Sequence, residues 1–178
     1  IRFFFVLVLL LISINLSADF ELVIQQFGLH MSDPIKAVKI LGPWKSIDFI
    51  NKLNNSGLIN DPEEYYIALK WARNPAAIPY LAKGIKSDRH YIRWKAIEAL
   101  GNIHHPNVIP VLMEALKDEN ENYAVGAAMF LANRQAKQAV PAIVALGERL
   151  MPRVKENPRH GILQNIIVAL GMLGDNRG

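Results

Sequence analysis

The chain has 178 residues, no cysteine and a formal net charge of +4, from 20 Lys and Arg against 16 Asp and Glu. Lack of cysteine excludes disulfides, thiol chemistry and every thiolate metal site. The positive surplus is small and spread along the chain, which excludes the clustered cationic strip that grips a nucleic-acid backbone.

The first predicted element is not part of a folded domain. Arg2 supplies a positive start, Phe3 to Ile12 is an unbroken apolar run, and Ser13 to Ala18 turns smaller and more polar before Asp19. This pattern reads as a signal peptide over residues 1–18, cleaved after Ala18. The run is shorter than the ~20 residues of a membrane-spanning helix; an uncleaved N-terminal anchor is the alternative. With no cysteine at the cleavage site, a lipid-modified lipoprotein is excluded. Removing Arg2, the only charge in this stretch, takes the net charge from +4 to +3 and leaves 160 residues, enough for one core. The missing initiator methionine reads as the mark of a fragment.

Beyond residue 44 the chain repeats itself. Asn74-Pro75-Ala76-Ala77-Ile78-Pro79-Tyr80-Leu81 returns as His105-Pro106-Asn107-Val108-Ile109-Pro110-Val111-Leu112, and Ala139-Val140-Pro141-Ala142-Ile143 opens a third copy, each 31 positions on. Ala99-Leu100-Gly101-Asn102 and Phe130-Leu131-Ala132-Asn133 keep the same phase. A fixed period of this size marks stacked units, none of which buries its apolar face alone. Counting backward gives weaker copies, with Ala68-Leu69-Lys70-Trp71 in phase with Ala99 and Ile47-Asp48-Phe49-Ile50 in phase with Ile78. The predicted organisation is a degenerate capping half-repeat at 19–44, then units at about 45–73, 74–104, 105–135 and 136–174, truncated at the C-terminus. The last unit is longer: Leu131 to Leu170 is 39 positions, and the extra residues fall around Arg149 to Arg159.

Inside a unit the apolar spacing is helical. Ile92, Ala96, Ala99, Leu100 and Ile103 form one stripe, and Ile78, Leu81 and Ile85 form its partner. Asn74 before Pro75 is an N-cap followed by proline where its missing N–H is harmless, and His105-Pro106 is a weaker version. Pro79 and Pro110 predict a slight bend near the start of each first helix. Each unit thus reads as two antiparallel helices of about a dozen residues.

These residues resemble HEAT repeats, in particular the short HEAT-like type named after phycobilisome lyase subunits. The family pattern of an Ala-Ile-Pro first helix, an Asp-containing turn and a Val-Arg-x-x-Ala-x-x-Ala-Leu-Gly second helix is matched by Ala77-Ile78-Pro79, Asp88, and Ile92-Arg93 with Ala96, Ala99, Leu100 and Gly101. The likeness is strong over 74–146, recognisable to 174 and weak over 33–73. It implies an all-α, right-handed α-solenoid of antiparallel helix pairs. It also implies that Arg93 belongs to an arginine ladder tying neighbouring turns together, a ladder broken by Ala124 and Leu163 at the next two equivalent positions. Relatives include scaffolds, adaptors, bilin lyases and one metal-dependent hydroxylase. The hydroxylase needs His-Glu pairs, whereas the five histidines here precede Met31, Tyr91, His105, Pro106 and Gly161.

No catalytic constellation, phosphate loop or nucleophile elbow is present, and His104-His105 reads as a turn rather than a metal site. The stronger candidate is a surface on the second helices, which the resemblance places on the concave side of the solenoid. Outside the apolar stripe stand His90, Arg93, Trp94, Ile97 and Glu98, and with Tyr66, Glu121 and Val125 of the neighbouring units they describe an apolar groove with charged edges, suited to binding protein. The competing reading is that they pack against the flanking second helices. Arg149, Arg153, Lys155 and Arg159, next to His160, form a possible basic patch or a solvated helix end.

The expectation is an exported scaffold or adaptor, periplasmic or secreted, that binds another protein without catalysis or cofactor and contacts neither nucleic acid nor, once the signal is removed, membrane. The alternative is a repeat domain that regulates or targets an enzyme domain outside this sequence. The exported protein should have a mass that begins at Asp19; an intact mass retaining residues 1–18 would identify an anchor instead.

Overall fold

A computed structural model describes residues 46–55, 61–156 and 161–174, with the side chains of residues 46, 49, 52, 53 and 153–156 left aside. The signal-peptide and capping expectations for 1–44 lie outside the described residues.

The described chain is helical, in antiparallel pairs. The pairs are α1 (Ser46–Asn55) with α2 (Pro62–Ala72), α3 (Ile78–Gly84) with α4 (His90–Asn102), α5 (Val108–Ala115) with α6 (Glu121–Asn133), and α7 (Val140–Glu156) with α8 (Ile162–Met172). Caps set the starts. Asp61 Oδ1 accepts from Glu63 N at 2.9 Å with Pro62 next, Asn74 Oδ1 accepts from Ala76 N at 2.9 Å, and Asn120 Oδ1 accepts from Asn122 N at 3.1 Å. His105 acts one turn earlier, its Nδ1 accepting from Asn107 N at 3.2 Å in the turn that leads into α5, whose own N-cap Asn107 makes no side-chain capping bond. Each satisfies a backbone donor that has no partner inside the helix.

The first helices depart from expectation. α3 and α5 have 7 and 8 residues against 13 in α4 and α6. A 3-10 turn, Pro75–Ala77, precedes α3, so Pro79 falls in the first turn of an α-helix that begins at Ile78. Pro110 and Pro141 occupy the same part of α5 and α7. A first-turn N–H has no acceptor within its own α-helix, so a proline is tolerated at these positions. The added residues of the last unit lengthen its first helix: α7 runs for 17 residues, through Pro152.

Second helices pack against one another from unit to unit, most extensively α2 on α4 and α6 on α8. α2 lies against α4, α4 against α6 and α6 against α8, while the first helices are held mainly by second helices. The contact stripes explain this: Ala68, Ala72, Ala96, Ala99, Ala124, Ala127, Ala128 and Ala169 are all buried. Side-chain size sets how near two helices come. Gly101 and Gly126 go further, since a methyl group on Gly101 would stand 2.5 Å from the Phe130 ring and one on Gly126 would stand 2.8 Å from Trp94.

Into these contacts the periodic leucines insert. Leu69, Leu100 and Leu131 are 0% exposed and Leu170 is 2% exposed. On α8, Ile162 and Ile166 are buried, whereas Ile167, Val168 and Met172 face outward. Leu100→Ala should cost ~2–5 kcal/mol, the range for a fully buried leucine. A denaturant titration giving less than ~1 kcal/mol would contradict the stacking.

Candidate binding surface

The side of the second helices away from the core is the surface that the stack holds in one piece. With 3.6 residues per turn, positions three and four apart share a face. On α4 that places Tyr91, Lys95, Glu98 and Asn102 opposite Leu100. All four are partly open. Lys95 Nζ sits 5.1 Å above the Tyr91 ring, and Glu98 bridges Lys95 at 3.4 Å and Lys70 of α2 at 2.6 Å. Burial raises the affinity of the Glu98 carboxylate for its proton, but the two lysines outweigh it and hold its pKa below the ordinary 4.5. Asn102 Nδ2 donates to the Glu98 carbonyl at 2.7 Å.

The same register extends the face across the other units. Trp71 stands where Asn102 and Asn133 stand, and Met172 follows in the longer last unit; Ile67, Glu98, Met129 and Val168 form the adjacent row. Trp71 is 43% exposed, Val168 44% and Met172 37%. The face is therefore apolar at its two ends and carries Asn102 and Asn133 between them, with Glu98 held by two lysines.

Several residues expected on this face are elsewhere. Ile97 is 0% exposed and Val125 is 4% exposed, and both pack into the stack. Tyr66 is half-buried, its ring against Gly84. Trp94 is half-buried between Gly126 and Tyr123, whose ring is stacked at 5.5 Å. His90 stays exposed, with Nδ1 3.1 Å from the Tyr123 hydroxyl. Glu98 is on the face, and Glu121 is half-buried at the start of α6. The expected groove is thus displaced by about one residue around the helix. Positions 94 and 97 point toward the next second helix, because each helix in a stack has a neighbour on both flanks. Tyr123, which sequence reasoning passed over, joins His90 and Trp94 in one aromatic stack.

Arg93 is a structural cation. Its Nε donates to Asp118 Oδ2 at 2.8 Å and its Nη2 to Glu119 Oε1 at 3.0 Å, while Nη1 donates to the Ser87 carbonyl at 3.1 Å. The side chains of Arg93 and Asp118 are only 10% and 4% exposed. The hydrogen bond to Asp118 raises the guanidinium pKa against the opposing effect of burial. One ladder rung therefore joins the turn of its own unit to the next.

Arg149 is a second structural cation, not part of a free basic patch: its Nη2 donates to the Leu116 and Asp118 carbonyls at 3.1 and 3.2 Å. Arginine is thus missing at 124 and 163, yet the turn at 116–119 is held from both sides. The side chains of Arg153 and Lys155 fall outside the described set, as do Arg159 and His160 entirely. A third cation, Arg134, was not singled out by sequence. It donates to the Leu100, Gly101 and Ile103 carbonyls at 3.2, 2.7 and 2.8 Å, and so caps α4 where the helix dipole favours positive charge.

Among the described residues, no group of three His, Asp or Glu side chains is arranged to hold a metal, and no helix is long and apolar enough to cross a membrane. Arg93→Ala should lower stability by ~3 kcal/mol, because it strands the buried Asp118 carboxylate. A melt that is unchanged would return Arg93 to the list of surface groups.

A family model of HEAT repeats matches residues 49–128 and again 78–157, together more than half of the chain. Among curated proteins no match is found.

Proposed function

Because this chain belongs to the HEAT-repeat family, we propose that it is an exported scaffold that binds another protein through the outward side of its second helices, without chemistry of its own. HEAT repeats generally mediate protein–protein interaction. Trp71, Val168 and Met172 carry the finer reading. Large apolar side chains left open at equivalent positions of a regular surface have the composition of interface anchors, and the intervening Asn102 and Asn133 supply adaptable hydrogen-bonding groups. Export rests on the residue pattern of 1–18, and the finer likeness to the phycobilisome-lyase type rests on residues 77–101.

The test is capture from the extracytoplasmic fraction with immobilised chain, followed by titration of whatever is captured. Trp71→Ala combined with Met172→Ala should weaken that binding by ~2 kcal/mol or more while the melting temperature barely moves. Binding that survives both substitutions, with the fold intact, would place the interface elsewhere.

A further inference from the structure

Repetition supplies an internal comparison, and one junction fails it. Between the first two described units, Asn51, Asn54 and Asn55 of α1 meet Tyr65 and Tyr66 of α2 and Tyr80 of α3 around a cavity of about 300 Å³. The Tyr65 hydroxyl donates to Asn51 Oδ1 at 3.0 Å, and Asn51 Nδ2 donates to the Tyr80 hydroxyl at 3.0 Å. The Tyr65 and Tyr66 rings meet edge to face at 5.4 Å. Burial, with Tyr66 and Tyr80 nearby, pushes the Tyr65 phenol well above the ordinary tyrosine range, so it stays a hydrogen-bond donor.

At the following two junctions five of these six positions are apolar, while Asn55 gives way to Lys86 and Lys117. Asn51 corresponds to Ala82 and Met113, and Asn54 to Ile85 and Leu116. Tyr65 corresponds to Ala96 and Ala127, and Tyr80 to Val111 and Ala142. Ile85, Leu116, Ala96 and Ala127 are buried where they occur, and the open space at the next junction, about 440 Å³, is lined mainly by charged turn residues such as Lys86, Asp88, Arg93, Asp118 and Glu119 rather than by amides and phenols. The fold therefore does not require amides and phenols at these places. Asn51, Tyr65 and Tyr80 are half-buried and paired with one another, and Asn54 and Asn55 stand exposed beside them. Departure from the repeat rule at one place, where the fold makes no demand for it, is the mark of a functional position.

The chemistry of the lining limits the ligand. Among the described lining residues there is no carboxylate and no arginine, and Lys83 at the margin is the one charged group. An anion would find little countercharge, and an apolar ligand would leave the asparagines unpaired. Amides and phenols both donate and accept, which matches a ligand with hydroxyls of the same dual character beside C–H faces that lie on aromatic rings. The volume is at the lower end of small-molecule sites, and the cavity offers no sheet edge along which an extended peptide would pair. We infer that the α1–α2–α3 cavity is a binding site for a neutral saccharide.

Saturation-transfer NMR on the full chain tests this, with glucose, N-acetylglucosamine and maltose as probes and end-blocked tetra-alanine as the peptide control. Transfer to at least one saccharide is expected. The variant Asn51→Met with Asn54→Leu, which copies Met113 and Leu116, should abolish that transfer and melt at a higher temperature. Tyr80→Phe, which removes a single hydroxyl, should reduce transfer in a folded protein even where the double variant does not fold. The proposal is overturned by the absence of transfer to any of the three sugars, by transfer that persists in the folded variants, or by transfer to the peptide alone.

Discussion

Two helices approach only as near as their contacting side chains permit, and along α2, α4, α6 and α8 small residues set that limit, with Gly101 under Phe130, Gly126 under Trp94 and buried alanines beside them. Close approach has three effects. It buries the periodic leucines almost completely, because each is covered by its own unit and by a neighbouring one. It brings the Phe130 ring over Gly101 and the Trp94 ring over Gly126, where no side chain would fit. It also consumes the flanks of every second helix, so that only a narrow strip opposite the core remains for any partner. Replacing alanine by a larger residue at these positions would open all three at once, whatever its hydrophobicity.

The turns obey a different logic. A turn between helices has backbone carbonyls to satisfy and little apolar surface to bury, so here arginine takes the part that leucine plays in the core. Arg93 and Arg149 converge on residues 116–119 from opposite neighbours, and Arg134 closes the end of α4 from the following unit. Each guanidinium crosses a unit boundary. The stack is thus fastened twice, by non-directional packing through its middle and by directional hydrogen bonds at its edges.

Much of this was legible from residues. Leu100 was readable as core because it recurs in Leu69 and Leu131, and Asn74-Pro75 as a helix start because caps are local chemistry. What failed was orientation within a helix. Trp94 and Ile97 are apolar and lie outside the main stripe, which reads as exposure; only the presence of a second flank, a tertiary fact, turns them inward. Measuring from Leu100 to the opposite face, through Tyr91, Lys95, Glu98 and Asn102, would have found the open strip. Arg134 and Arg149 were hidden for another reason: each acts on backbone carbonyls, which leave no trace in side-chain spacing. The polar junction at Asn51 was visible as a departure from the period but gained meaning only when the tyrosines closed around it.

The length of α7 has a consequence for the outline of the molecule. Arg149 lies level with the turn at Leu116 to Asp118, where α5 has already ended, yet α7 continues to Glu156. At 1.5 Å per residue, the seven residues beyond Arg149 rise about 10 Å past that row of turns. Along this margin the second and third units present a level kerb, and the fourth raises a step across it. The fourth unit therefore differs in outline from the two before it, and a partner that fits the margin of one will not fit the margin of the other.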